Sequence, residues 1–360
     1  MEAMSWQDHV RRVVPYVAGE QPGDPDIIKL NTNECPYPPA PGVAEALRQA
    51  SENAARLRLY PDMDASSLVR ALADRYGVLP EQIFVGVGSD DVLSMSFLSF
   101  FTEGAGDSRP LLFPDITYSF YDVWAQLYRI PYRCVPLKED FTIDPEDYIA
   151  QPCRGIIFPN PNAPTGAQLP QEDVERIVAS HPDGIVIVDE AYVDFGAASA
   201  LPLLEKYDNL LVVQTFSKSR AMAGARIGFA IGNPELIGYL KDVKFSFNSY
   251  TMSLPAILAG TAAVKDERYF DEMTGRIIRT RERFKKQLKD LGFEFPDSEA
   301  NFVFVRYPGL SGQALFDALR KKKILVRHWN KPRIEDYLRI TIGTEEQMDT
   351  VAAALREIVG

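Results

Sequence analysis

The sequence has few of the residues on which several protein classes depend. Among its 360 residues it has three cysteines, Cys35, Cys134 and Cys153, and they are widely scattered. Their number is odd and their spacing does not match a metal site. We therefore expect structural thiols in a reducing cytoplasm, with no disulfide framework and no bound metal.

Long stretches of uniform character are also missing. There is no long run of lysine and arginine, and the net charge is -11 from 39 basic and 50 acidic residues, so nucleic acid and anionic membranes are not expected partners. The longest apolar stretches, such as residues 92–101, fall well short of the ~20 residues that span a bilayer. Residues 1–19 lack the apolar core of a signal peptide. These features predict a soluble cytoplasmic protein.

The chain does contain a series of apolar strands, and 46% of its residues are apolar, which is enough for a sizeable core. Strands ending near residues 87, 113, 158, 188 and 213, with helices between several of them, predict an α/β fold. Its mostly parallel sheet should carry helices on both faces. Residues 226–231 should add an antiparallel strand.

The last third of the chain alternates helix and strand and predicts a smaller α+β domain. Thr344 and Gln347 form a capping box for its final helix. We expect a proline-rich arm over residues 1–40, a large domain over residues 41–265 and a small domain over residues 266–360.

Two strand ends bring an acid and an amine to one edge of the predicted sheet. Asp189 follows the apolar run at residues 185–188, and Lys218 lies just past the run at residues 210–213. Open α/β sheets bind ligands at the carboxyl ends of their strands. Pyridoxal phosphate needs a lysine that condenses with its aldehyde and a carboxylate that keeps its pyridine nitrogen protonated. Lys218 and Asp189 are the predicted catalytic pair.

A phosphate site is predicted where the strand at residues 83–87 runs through Gly88 into a helix. Ser89 suits the helix cap and Asp90 its first turn, so the free amides of the helix start can bind an anion. A third glycine, which a dinucleotide site would need, is missing at residue 91. We therefore expect a single phosphate there, held also by Ser217 and by the planar fork of Arg226.

Four segments carry a resemblance to a known family. They are Asn-Pro-Asn-Ala-Pro-Thr-Gly at residues 160–166, Asp-Glu-Ala-Tyr at 189–192, Ser-Lys at 217–218 with Arg226 eight residues on, and Leu-Arg-Ile-Thr-Ile-Gly-Thr at 338–344. On these segments, the chain resembles the fold-type I, class I and II aminotransferases that use pyridoxal 5'-phosphate, most closely the histidinol-phosphate aminotransferases. The resemblance covers nearly the whole chain.

The resemblance implies a reaction and an assembly. The reaction is transamination between histidinol phosphate and 2-oxoglutarate in histidine biosynthesis, and the active unit is a homodimer with composite active sites. It implies that Tyr118 stacks on the cofactor ring and that Tyr192, counted with the catalytic residues, bonds the cofactor's phenolic oxygen. It also implies that Tyr60 crosses to the cofactor phosphate of the other subunit.

Substrate contacts are implied for five residues: Tyr16, Asn33, Tyr250, Arg327 and Arg339. At the position of Arg339, the family's arginine holds the carboxylate of the amino donor or the phosphate of the other substrate. Tyr16 and Asn33, on the arm, have an alternative interpretation as packed or capping residues.

The chain departs from the family at the phenolic oxygen. The family has an asparagine immediately before Pro-Thr-Gly, and this chain has Ala163 there. Either Asn162 takes that role by a shift of one residue, or Tyr192 alone bonds the oxygen.

Other functions share parts of this pattern. An aromatic-amino-acid aminotransferase would use the same cofactor residues and is the main alternative. A phosphate-recognising decarboxylase of the same fold is a weaker one. A transcription regulator with an aminotransferase-like domain would need a DNA-binding segment before the arm, and about 20 residues are too few for one.

Overall fold

The computed structural model describes residues 5–102 and 108–360. Its strands are β1 (Ile28–Lys29), β2 (Ile83–Gly86), β3 (Leu111–Pro114), β4 (Tyr132–Val135), β5 (Gly155–Pro159), β6 (Ile185–Asp189), β7 (Leu210–Thr215), β8 (Gly228–Gly232), β9 (Phe302–Val305), β10 (Ile324–Leu325), β11 (Arg327–His328) and β12 (Leu338–Thr341).

The α-helices are α1 (Pro41–Glu52), α2 (Ser66–Tyr76), α3 (Ser89–Ser96), α4 (Tyr121–Tyr128), α5 (Glu146–Ile149), α6 (Gln171–Ser180), α7 (Pro234–Phe247), α8 (Leu254–Lys265), α9 (Glu267–Asp290), α10 (Gly312–Lys321) and α11 (Glu345–Val359). A π-helical turn, Phe97–Phe101, extends α3. Short 3-10 turns lie at Trp6–His9, Ala54–Arg58, Pro80–Gln82, Val193–Phe195, Leu201–Glu205 and Ala223–Ala225. No helix within the described ranges is long and apolar enough to cross a membrane.

Seven strands form the large sheet, in the order β2-β8-β7-β6-β5-β3-β4. The pairs from β7 through β4 are parallel, whereas β8 runs antiparallel to both β7 and β2. The predicted α/β class and the antiparallel strand are both confirmed. The register pairs Asp189 at the end of β6 with Val213 in β7, so the acid lies beside the strand that leads to Lys218.

The large sheet is buried on both faces, which explains the unbroken apolar runs of its strands. In β6, Val186 and Val188 belong to the core on one face, which includes Ile177 of α6, whereas Ile187 belongs to the core on the other, which includes Trp124 of α4. Burying each such side chain contributes about 1.5–3 kcal/mol. This double burial holds the strand ends in fixed positions.

A second sheet, β11-β12-β9, is antiparallel and shares a core with α9, α10 and α11. The expected α+β part is therefore present. The capping box predicted for α11 forms, because the Thr344 side chain accepts from the Gln347 amide and the Gln347 side chain accepts from the Thr344 amide. Helix α8 ends at Lys265 and α9 begins at Glu267, where the domain division is expected.

The arm is tied to the α+β part of the chain through a separate two-stranded sheet. Strand β1 pairs in parallel with β10, and the backbone amide of Leu30 donates to Leu325 O at 2.7 Å. Further out, Glu20 forms an ion pair with Arg320 at 2.7 Å. These contacts place residues 31–33 over the carboxyl edge of the large sheet.

Candidate active site

Two adjoining cavities lie at the carboxyl edge of the large sheet. The inner cavity has a volume of about 160 Å³ and the outer cavity one of about 410 Å³. Both are lined by Thr32, Tyr118, Ala163, Tyr192 and Lys218. The inner cavity is also lined by Ser89, Asp90, Asp189, Ser217 and Arg226, and the outer one by Tyr16, Asn33, Arg327 and Arg339. Most of the site residues predicted from the sequence thus surround one connected space.

Lys218 lies at the junction of the two cavities. Its Nζ donates to Thr32 O at 3.1 Å and lies 5.9 Å from the centre of the Tyr192 ring. Burial, and then the positive charge of Arg339, lower the pKa of Lys218 to about 8. A useful fraction of the amine is therefore neutral near neutral pH, as a nucleophile requires.

Asp189 lies in the wall of the inner cavity with 4% of its surface exposed. Its carboxylate accepts from the Tyr121 hydroxyl at 2.8 Å and from the Ala191 amide at 3.2 Å. Burial is the main cause that raises its pKa to about 6, so the group is still mostly ionised at neutral pH. A buried carboxylate held in place by neutral donors is suited to pair with a cationic ring nitrogen.

The start of α3 and Arg226 form one end of the inner cavity. Gly88 has φ +87°, and a Cβ there would lie 2.4 Å from Arg226 Nη2. A Cβ on Gly228 would lie 2.2 Å from the Ser89 amide nitrogen. Gly88 therefore lets the Arg226 guanidinium approach the helix start closely, and Gly228 lets strand β8 pack against the backbone of that helix start. Together with the hydroxyl of Ser217, these donors form a site for a doubly charged anion.

Asp90 connects the anion site to the predicted stacking residue. Its carboxylate accepts from Arg226 Nη2 at 3.1 Å and from the Tyr118 hydroxyl at 2.7 Å. Burial, and then the Asp90 carboxylate, raise the pKa of Tyr118 well above its usual value, so the phenol stays protonated. Asp90 thus orients two other groups, while it also lines the inner cavity itself.

Asn162 is not among the residues that line the two cavities. Its side-chain nitrogen donates to Ile116 O at 3.0 Å and to Thr165 Oγ1 at 3.1 Å, which uses both of its N–H groups. Ala163, not Asn162, lines both cavities. Both N–H groups are therefore used within the protein, by Thr165 of the same loop and by Ile116 after β3, and the geometry favours Tyr192 as the donor to the phenolic oxygen.

Tyr60 and Tyr250 lie outside both cavities. Their rings stack on each other with centroids 4.6 Å apart, and they are 82% and 45% exposed. Within one chain they do not reach the site.

The outer cavity is rich in arginine. Arg339 Nη2 donates to Asn31 O at 2.9 Å, while its Nε is buried without a hydrogen-bond partner. Arg327 lies on the neighbouring strand directly opposite Arg339. The free Nε and the adjacent guanidinium suit a ligand that presents paired anionic oxygens.

Trp329 is a site residue that sequence reasoning missed. The centre of its ring lies 5.3 Å from the Arg327 guanidinium and 5.2 Å from that of Arg339, so it makes cation–π contacts with both. The one feature of the sequence that could have pointed to Trp329 is its position, two residues after Arg327. Tyr16, at the far side of the cavity, stacks on Phe120 at 4.1 Å.

Known proteins match this chain over most of its length. Residues 25–355 match the family of class I and II aminotransferases. The chain belongs to that family. This confirms the family resemblance that the sequence motifs carry.

Several relatives of this aminotransferase are named for one particular activity within the family. It is 52% identical over 353 residues to histidinol-phosphate aminotransferase from Lactococcus lactis subsp. lactis, covering 98% of this chain and 96% of the relative. It is 49% identical to histidinol-phosphate aminotransferase 2 from Dechloromonas aromatica, covering 99% of each. The solved histidinol-phosphate aminotransferase from Sinorhizobium meliloti, in complex with pyridoxal-5'-phosphate, superposes with a TM-score of 0.83 at 28% identity, over 92% of this chain and 90% of that one.

Proposed function

We propose that this aminotransferase uses pyridoxal 5'-phosphate to transfer an amino group between histidinol phosphate and 2-oxoglutarate. In histidine biosynthesis, glutamate would be the donor and imidazole-acetol phosphate the acceptor. One observation carries this proposal: Lys218 lies between the inner cavity, which contains Asp189 and the anion site at Arg226, and the outer cavity, which is lined by arginines. Relatives about half identical to this chain and named for that activity support it.

The residues of the inner cavity fit the cofactor. The first-turn amides of α3, Ser217 and Arg226 would hold its phosphate, and Asp189 would pair with its ring nitrogen. The ring of Tyr118 would cover one face, and the hydroxyl of Tyr192 would donate to the phenolic oxygen. When bound, pyridoxal phosphate supplies an electron sink for the negative charge left on a substrate carbon that loses its proton.

Lys218 has two tasks in this proposal. Its neutral amine holds the cofactor and is released when an amino substrate takes its place. The freed Nζ would then accept the proton from the substrate Cα and return it to the carbon on the other side of the reacting nitrogen, two bonds away, as a general acid and base. A pKa of about 8 suits both directions, because the amine is neither fully protonated nor strongly basic.

Arg339 and Arg327 orient the substrates. A carboxylate and a phosphate both present paired oxygens, so one guanidinium fork can bind either anion. In this proposal Arg339 holds the glutamate carboxylate in one half-reaction and the phosphate of the second substrate in the other. Arg327 adds positive charge opposite Arg339.

The visible spectrum of the cofactor-loaded protein tests the proposed reaction. Histidinol phosphate should bleach the absorption band of the bound aldehyde form, and 2-oxoglutarate should restore it. In a paired assay, Arg339→Gln should raise KM for glutamate and for histidinol phosphate by about 10²-fold each, since both anions lose one charged hydrogen-bonding partner.

Phenylalanine is the comparison substrate in that experiment. A band that responds to phenylalanine but ignores histidinol phosphate would assign the chain to the aromatic-amino-acid aminotransferases. Release of carbon dioxide from a phosphorylated amino acid would instead indicate a decarboxylase. A protein that cannot bind pyridoxal phosphate would refute both the cofactor and the reaction.

The proposal includes a homodimer with composite sites. Tyr60 and Tyr250 lie on a surface with several other exposed apolar side chains: Leu57, Leu59 and Phe247. Such a patch favours burial against a second copy. In that assembly Tyr60 would reach the cofactor phosphate of the neighbouring subunit.

Mixing two inactive variants tests the composite site. In a dimer of Lys218→Ala with Tyr60→Ala, one site contains both altered residues and the other contains neither. Random pairing of equal amounts should therefore restore about a quarter of the wild-type activity. If Tyr60 serves its own subunit, mixing will restore nothing, and co-purification through an affinity tag on one of the two variants will show whether mixed dimers have formed.

Location and domain division are further parts of the proposal. The cysteines Cys35, Cys134 and Cys153 are free, which supports a reducing cytoplasm. The break between α8 and α9 supports a large domain over residues 41–265 and a small domain over residues 266–360, with residues 1–40 as the arm.

A further inference from the structure

Asn33 makes a set of hydrogen bonds that its sequence position does not suggest. It is 1% exposed, and its side-chain nitrogen donates to the Tyr192 hydroxyl oxygen at 2.9 Å. Its Oδ1 accepts from the Thr341 hydroxyl at 3.0 Å, and its backbone amide donates to the same hydroxyl at 3.0 Å. Its carbonyl accepts from Asn301 at 3.0 Å. One buried arm residue therefore contacts three distant parts of the fold.

These bonds determine which way the Asn33 amide faces. The Thr341 oxygen receives the backbone N–H of Asn33, so its own hydrogen is available for Oδ1. With Oδ1 facing Thr341, the NH2 group faces Tyr192. The order of donors along Thr341, Asn33 and Tyr192 is thus fixed by the backbone.

The same order directs the hydroxyl of Tyr192. Because its oxygen accepts from Asn33, its own hydrogen points elsewhere, and Tyr192 lines both cavities. The ring is held edge-on against Phe302, with centroids 5.0 Å apart. Ala163, at the family's asparagine position, has no polar side chain to share this task.

We propose that Asn33 is a positioning residue, which aims the Tyr192 hydroxyl at the phenolic oxygen of the cofactor. The inference rests on the proposed function, since it concerns the proposed cofactor site. The chain of hydrogen bonds from Thr341 through Asn33 to Tyr192 begins on β12, two residues from Arg339. The strand that carries the substrate arginine therefore also holds the tyrosine in place. The sequence left Asn33 either as a substrate contact or as a packed or capping residue.

Two substitutions suit the backbone at this position. Asn33 has φ +57°, which asparagine, aspartate and glycine tolerate. Asn33→Gly removes the side-chain donor. Asn33→Asp replaces it with an acceptor, so that Tyr192 donates to residue 33 and no longer into the cavity. Tyr192→Phe is the reference variant, because it removes the hydroxyl itself.

The readout is the pH midpoint of the change in visible absorption of the cofactor-loaded protein. A phenolic oxygen that loses its donor becomes more basic, so the midpoint should move up by about one pH unit in all three variants. The double variant Asn33→Asp with Tyr192→Phe should show no larger shift than Tyr192→Phe alone. For Asn33→Asp, kcat should fall about 10-fold with KM for glutamate within about twofold.

Other outcomes overturn the inference. An unchanged midpoint in Asn33→Asp and Asn33→Gly, with only a lower unfolding temperature, would show a purely structural residue. Additive shifts in the double variant, or a raised KM with unchanged kcat, would show direct contact with cofactor or substrate. Thr341→Val should give part of the shift and Thr341→Ser none. If the wild-type protein takes up no cofactor, the proposed function fails and the inference, which rests on it, is refuted with it; a normal wild-type spectrum with unchanged variants refutes the inference alone.

Discussion

Replacing Lys218 with alanine lowers turnover by at least about 10⁴-fold, because the change removes the nucleophile and the general base together. The protein should still bind pyridoxal phosphate, since Arg226, Ser217 and Asp189 remain. Denaturation followed by filtration should then release all of the cofactor, whereas borohydride reduction of the wild-type protein should retain it. Lys206, an exposed lysine paired with Glu175, provides the matched control, and Lys206→Ala should behave like the wild type.

The same lysine sets the pH dependence of cofactor uptake. Only the neutral amine attacks the aldehyde, and the pKa of Lys218 is lowered to about 8. The rate of covalent uptake by the cofactor-free protein should therefore rise with pH through about 8 and then level off. A rate that keeps rising toward the usual lysine pKa near 10.4 would contradict a buried Lys218.

Retention of more than a few per cent of turnover in Lys218→Ala would refute its catalytic role.

Asp189→Asn is expected to lower turnover by about 10²- to 10³-fold. The amide has the same shape and can still accept from Tyr121, but it cannot carry the negative charge that keeps the ring nitrogen protonated. The electron sink is then weaker, and proton removal from the substrate Cα is slower. Single-turnover kinetics should place the loss in that step, with cofactor binding weakened to a lesser degree.

Glu190 offers the control for this variant. It is the next residue and is equally buried, but its carboxylate faces away from the cavities and accepts from Ser199, Ala200 and Gln214. Glu190→Gln should leave turnover per folded molecule within about twofold. If both variants lose activity equally, the effect of Asp189 is one of packing and not of charge.

The large sheet was predictable because its signals are local. The runs in β6 and β7 are apolar on both faces. A residue that can take part in catalysis, Asp189 or Lys218, lies at the end of β6 or just after β7. Each strand, its burial and its functional end can therefore be predicted from a few neighbouring residues. The capping box of Thr344 and Gln347 is equally local. Pairing between β1 and β10 joins residues almost 300 positions apart, and two-residue strands leave no pattern.

The site divides in the same way. Lys218, Asp189 and Arg226 could be placed by position after a strand or by motif, since their chemistry needs those residue types. The hydrogen bond between Asn33 and Tyr192 spans 159 positions, and only the folded backbone creates it. The orientation of Asn162 depends on Ile116 and Thr165 around it, and motif position alone leaves open whether it reaches the cofactor site. Trp329 is recognisable only in the folded chain, where its ring contacts two arginines.

The hydrogen bonds between the arm and β12 have a consequence for how the chain folds while it is being translated. The hydrogen bonds between Asn33 and Thr341 join residues 308 positions apart. During translation the large sheet can assemble as its strands emerge. The arm residues Thr32 and Asn33, which line the outer cavity, can be fixed in place only after β12 has been made, near the end of synthesis. A nascent chain released before that point would have its lysine and acid in place, yet its reactive amine would still be open to water and to stray aldehydes.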